Sequence, residues 1–295
     1  MSQPTVAPPA RLRTGERARK RARLMRNRRV VVGLVLIAGL HAAALLAPWL
    51  APYHPDTQLL VDRLKPPSRQ HLLGVDHLGR DILSRVLWGA RVSLVVGLVA
   101  TFLTVVIGAM FGLMSGYFGA WVDGLLMRAT DIFLAFPVFI LLITVVAIYG
   151  SNVWLLIVFL GLAAWPSTAR LVRAEVLSIA AREFVLAARA VGASNTRILL
   201  AHVLPNVVSV LVVAATLRVA IVILIEASLS YFGLGVPPPT ATWGGMVADG
   251  RLVMDTAWWI TTFPGVMVVV TVLAYNMLGD GLRDVLDPRR SLPGQ

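Results

Sequence analysis

The chain has 295 residues, 57% of them hydrophobic and 14% charged, with a formal net charge of +12 and a mean hydropathy of +0.77. Soluble domains carry about 25% charged residues, so this balance excludes an ordinary soluble enzyme and predicts a membrane protein. Having no cysteine, it has no disulfide, thiolate metal site or iron–sulfur cluster.

The positive charge is concentrated rather than spread. Ten basic residues lie between Arg11 and Arg29, opposed only by Glu16, and without that block the chain is nearly balanced. A basic block placed directly before an apolar run marks a cytoplasmic N-terminus rather than a nucleic-acid surface. It also suits anionic lipid, at about 1 kcal/mol per basic residue. Residues 1–29 are therefore expected to be a disordered cytoplasmic tail. The apolar run that follows, 30–51, is too long for a signal-peptide core and reads as an uncleaved first span.

A loop on the far side reaches to about residue 90. Within it HLLGVDHLGRDILSRVLWGARVSL (71–94) reads as an amphipathic helix at the interface, with Asp76 and Asp81 pairing locally with Arg80, Arg85 and Arg91. Span two is expected at 92–116, where Gly108, Gly112 and Gly116 are spaced by four and let another helix approach closely. A short cytoplasmic turn carries Trp121, Asp123, Arg128 and Asp131, the last two three apart and able to pair. Span three is expected at 131–149 with a kink at Pro137, and span four at 153–169, ending around Pro166, Arg170 and Arg173. Span five is expected at 207–230. A Gly/Pro-rich outer loop then leads to span six at 258–278. Trp258-Trp259 and Tyr231-Phe232 read as interfacial belt aromatics. With Arg283, Arg289 and Arg290 after the last span, the organisation is a tail (1–29), a membrane domain (30–285) and a second cytoplasmic tail (286–295), both termini inside.

Between spans four and five stands REFVLAARAVGASNTRILLAHVLPN (182–206). Phe184, Ala188 and Val191 share one apolar face at i, i+4, i+7. Gly192 suits a left-handed stop, Ser194 caps a second short helix, and Pro205 is expected to end it. A helix–glycine–helix hairpin projecting from a membrane domain is a docking surface, and Ala187 and Ala188 leave room for a partner's backbone. The spacing also fits a DNA-binding helix-turn-helix, but flanking membrane runs keep DNA away. A plain amphipathic connector is the other alternative.

These residues resemble the cytoplasmic coupling motif of ABC-importer permeases, which seats in a groove of the ATP-hydrolysing subunit. The likeness rests on Ala187-Ala188, Gly192, Ile198 and Leu204-Pro205, and departs at Leu186, where many such motifs carry Glu. Both 71–94 and DGLLMRATDIFLAFP resemble the C-type permease subunits of dipeptide, oligopeptide and nickel importers. The resemblance covers about 30–290. It implies an all-α integral membrane fold of ABC type I importer permeases, with six transmembrane helices and a cytoplasmic helix–Gly–helix coupling loop, in the inner membrane. It further implies a second homologous permease subunit, two ATP-binding subunits docking at Arg182, Glu183, Ala187, Ala188, Gly192, Ala193, Ser194, Arg197, His202 and Pro205, and an extracytoplasmic solute-binding protein.

No catalytic or cofactor site is expected in the chain itself. Its two lysines, Lys20 and Lys65, follow no phosphate-binding glycine turn, so ATP hydrolysis falls to another subunit. Arg218 and Glu226 are the charges inside the membrane domain. Such groups are costly at mid-bilayer and face a cavity or a partner. They either line the translocation path or serve structure. His71 and His77, with Asp76 and Asp81, lack the spacing of a metal site and suit ion pairing. An ion-coupled transporter acting alone is the competing function and requires several buried acids, whereas one is seen here. A membrane-embedded enzyme would need a nucleophile or metal cluster.

Overall fold

The computed structural model describes residues 24–286. Most of the expected N-terminal tail, and all but one residue of the expected C-terminal one, lie outside them. The described chain is a bundle of helices: α1 (Arg28–Leu45), α2 (Ala47–Leu50), α3 (Ile82–Phe118), α4 (Ala120–Ala135), α5 (Val138–Tyr149), α6 (Val153–Ala180), α7 (Glu183–Ala190), α8 (Asn195–Ile198), α9 (Leu204–Tyr231), α10 (Trp243–Gly250) and α11 (Trp259–Leu286). Among the described residues five helices are long and apolar enough to cross a membrane, and the bent pair α4–α5 makes a sixth candidate.

Helices α3 and α6 form the most extensive contact, and α9 and α11 pack beside them with α1 outermost. The α3–α6 seam is built on glycine. A Cβ at Gly108 would stand 2.6 Å from Thr168 Cβ, one at Gly112 2.6 Å from the Ala169 carbonyl oxygen, and one at Gly116 2.9 Å from that of Arg173. Side chains at these three positions would push the helices apart, so the four-residue spacing sets how closely they lie.

Several boundaries differ from the sequence expectation. The 71–94 segment is not a separate interfacial helix. Residues 71–81 form a compact loop, and α3 then runs unbroken for 37 residues because nothing after its cap interrupts it. Asp81 is that cap: its carboxylate accepts from Ser84 N at 2.8 Å and Ser84 Oγ at 2.7 Å, and His71 Nδ1 lies 3.0 Å away. Capping in this manner satisfies backbone donors that a helix start leaves open. Asp76 pairs with Arg80 at 2.6 Å. Among the described residues Arg91 joins no carboxylate; its guanidinium lies 4.9 Å over the Trp88 ring.

Span three is broken rather than kinked. Phe136, preceding Pro137, is extended (φ −96, ψ 130), as the proline ring demands, and α4 and α5 meet at 77°. Helix α6 carries Pro166 inside it and continues to Ala180, past the expected end of span four. The first span divides at Leu46, with Pro48 in the opening turn of α2. Asp131 pairs with Arg170 across helices, at 2.5 Å, and not with Arg128. Finally, Trp259 is buried rather than part of an interfacial belt, its Nε1 donating to the Val75 carbonyl at 3.2 Å.

Candidate coupling elbow and the buried charges

Helix α7 starts at Arg182, which is extended (φ −76, ψ 148), and carries Glu183 in its first turn, where a carboxylate suits the helix dipole. It stops at Gly192, whose φ of +80 belongs to the left-handed region. There the Gly192 and Ala193 amides donate back to the Arg189 and Ala188 carbonyls at 3.1 Å, closing the helix end. Ser194 Oγ then accepts from Arg197 N at 3.4 Å, opening α8. The turn is thus made by local chemistry alone.

Pro205 does not end this second helix. A π turn over Leu199–Val203 leads straight into α9, with Leu204 N donating to the Leu199 carbonyl. Widening by one residue relieves the clash that proline's ring makes with the carbonyl four residues back. Asn206 Nδ2 adds a bond to the His202 carbonyl at 2.6 Å.

The elbow has two faces. Inward, Val185, Ile198 and Val203 are fully buried against Val172, Val176 and Ile179 of α6, with Ala188 and Ala193 half-buried beside them. Ala188 therefore packs partly on its own chain, and the Phe184–Ala188–Val191 face is divided. Outward stand Phe184, Leu186, Ala187, Val191 and Leu200, of which Val191 is 84% exposed. Arg182, Glu183, Gly192, Ser194, Arg197 and Pro205 are exposed as well. The half-buried His202 ring lies 6.4 Å from that of Phe184. Two contacts that sequence reasoning missed hold the elbow from α3: Tyr117 OH donates to Asn195 Oδ1 at 2.9 Å, and Arg189 covers the same ring at 5.6 Å. Nothing in the sequence brings position 117 to 195.

The membrane-domain charges are placed differently from one another. Glu226 is 0% exposed. Ser230 Oγ donates to its Oε1 at 2.8 Å and Ser93 Oγ faces its Oε2 at 3.4 Å, while Ser93 Oγ also accepts from Trp243 N at 3.3 Å. In this conformation the Glu226 side chain meets no solvent. It joins α3, α9 and the start of α10. Arg218 is half-buried, its Nη2 donating to Ser167 Oγ of α6 at 2.7 Å.

Residues 108–292 match the family described as "Binding-protein-dependent transport system inner membrane component", and residues 17–67 match the N-terminal TM domain of oligopeptide transport permease C. The chain is 44% identical over 272 residues, 92% of each protein, to the "Putative peptide transport system permease protein" of Brucella abortus. It is 40% identical over 266 residues, 90% of this chain and 88% of the relative, to the dipeptide transport system permease protein DppC of Alkalihalophilus pseudofirmus. The chain belongs to the binding-protein-dependent transport system inner membrane component family.

Proposed function

We propose that this chain is one of two homologous permease subunits in an ATP-driven importer of dipeptides or oligopeptides in the inner membrane. The observation that carries the docking role is the division of the elbow. Its inner face is fixed to α6, while Phe184, Leu186 and Val191 present apolar surface outward. A patch exposed in this way on an otherwise anchored element suits a partner protein. With Leu186 in place of a carboxylate, the seat is apolar rather than ionic.

In this reading two ATP-binding subunits sit beneath the elbows, with both termini of this chain on the same cytoplasmic side, and a solute-binding protein delivers cargo from outside. Nucleotide-driven closure of the ATPase pair moves the elbow. Because the elbow is continuous with α9 and packed on α6, its displacement tilts those helices around the translocation path. The peptide assignment is supported by the relatives named above.

The test is uptake by a deletion strain given labelled peptides of graded length and, separately, nickel, together with proteoliposomes holding this chain with and without ATPase subunits. ATP-dependent peptide accumulation is expected. Solute movement by the chain alone, without nucleotide, would overturn the coupling role. Nickel uptake without peptide uptake would overturn the cargo.

A further inference from the structure

An open cavity of about 800 Å³ lies at the end of the bundle opposite the elbow, between the 52–81 loop and the segment from Tyr231 to Val253. The 37 residues of α3, at 1.5 Å each, put it roughly 55 Å from the elbow. Its volume is in the range of small-molecule sites, about 300–1,000 Å³.

Four guanidinium groups line this cavity: Arg63, Arg80, Arg85 and Arg251. Arg80 and Arg85 are each 3% exposed and are matched by acids. Arg80 donates to Asp76 at 2.6 Å and Asp249 at 3.3 Å. Arg85 stands 3.8 Å from Asp76, 3.8 Å from Asp56 and 4.0 Å from Asp249. Arg63 and Arg251 differ. The Arg63 side chain has no hydrogen-bond or ion-pair partner among the described residues. Among the described residues Arg251 reaches only the Tyr231 carbonyl, at 3.5 Å, and the Tyr231 ring, at 5.4 Å. Four positive charges against Asp56, Asp76 and Asp249 leave an excess of one. The buried Arg85 Nε and His77 Nδ1 also lack hydrogen-bond partners, which is unusual for buried polar atoms. The same lining carries the apolar side chains of Phe232 and Leu252, 67% and 84% exposed.

We propose that this cavity binds a carboxylate carried on an apolar body, with Arg63 and Arg251 holding the carboxylate and Phe232 and Leu252 covering the body. One excess charge suits a monoanion. The planar guanidinium fork matches the two oxygens of a carboxylate, and the exposed apolar wall would be idle against a bare inorganic ion. Use of the site to receive incoming solute rests on the import reading above; the binding itself does not.

The test uses this chain co-purified with its partner subunits in phosphatidylcholine nanodiscs, without nucleotide. Titration calorimetry compares N-acetylphenylalanine with N-acetylphenylalaninamide, which share the apolar body and differ in the carboxylate against a neutral amide. The acid is expected to bind saturably and at least about tenfold tighter than the amide, and R63Q/R251Q should bring it to the level of the amide. L252A, on an exposed side chain, should weaken both probes alike. The unaltered protein's preference for acid over amide decides the matter even if R63Q/R251Q does not assemble. Equal binding of acid and amide, or no saturable binding of either, would overturn the proposal. So would a preference that survives R63Q/R251Q, displacement of the acid by an equal concentration of inorganic phosphate, or binding seen only when a solute-binding protein is added. Peptide uptake that fails while the acid still binds counts against the import reading and not against this site.

Discussion

Arg173 of α6 holds Asp123 of α4 in a two-pronged ion pair, Nε to Oδ1 and Nη2 to Oδ2, both at 2.5 Å. Ser115 Oγ of α3 donates to the same carboxylate at 2.5 Å, so three helices meet at one acid just above the elbow. One helical turn up, Arg170 pairs with Asp131. The two pairs tie α4, the first half of the bent span, to the helix against which the elbow packs. Bidentate geometry and partial burial make the Asp123 pair stronger than a free surface bridge, about 1–2 kcal/mol. D123N should therefore lower thermal stability by about that amount and reduce transport more than stability alone explains. The exchange D123R/R173D should recover part of the transport. The role in transmission fails if D123N leaves uptake unchanged in membrane vesicles.

The Gly192 turn isolates backbone strain from crowding. Its φ is +80 and a Cβ there would meet nothing within 4 Å, so a side chain costs only through the left-handed conformation, about 1–2 kcal/mol. Gly192→Val should abolish ATP-dependent uptake with normal membrane insertion, because a β-branched residue fits that region worst. Gly192→Asn should keep most of it, since Asn visits the region readily. Uptake that is equal in both variants would show that the turn's shape does not matter.

The division of the elbow separates two substitutions that look equivalent in the sequence. Val191→Asp alters a residue 84% exposed; it should leave the melting temperature of the purified chain unchanged and reduce co-purification of the ATPase by about tenfold, in line with the loss of one apolar anchor. Ala188→Asp places a carboxylate in the half-buried layer with Val185 and Ile198, and should destabilise the chain by about 1–3 kcal/mol. ATPase retention that drops only for Ala188→Asp would relocate the docking surface.

The elbow was readable because its chemistry is local: a glycine for the left-handed turn and a serine two residues on for the cap. The same holds for Gly108, Gly112 and Gly116, where spacing alone predicts a face. What the sequence hides is partnership across distance. Asp123 and Arg173 are 50 positions apart, and Asp131 has an equally plausible local partner in Arg128 that it does not use. The break at Pro137 was visible as a proline but not its size, because a kinked and a broken span begin with the same ring. Nor does an amphipathic run before an apolar one reveal whether the helix restarts: α3 passes through both, since only Asp81 caps it.

Glu226 is where the sequence leaves two readings open, and it can be tested directly. An acid within a membrane helix either lines a path or serves structure; here Ser93, Ser230 and the start of α10 surround it. If the carboxylate serves this junction, its hydrogen-bonding capacity matters and its charge does not. Glu226→Gln should then keep uptake within about twofold, whereas Glu226→Leu strands two buried serine hydroxyls and should cost about 1–3 kcal/mol. The Leu variant should also loosen α10, read as faster amide exchange around Trp243. A Gln variant with unchanged melting temperature but strongly reduced affinity for solute would mean that the carboxylate meets cargo in another conformation of the transporter, and the junction role would give way to the path.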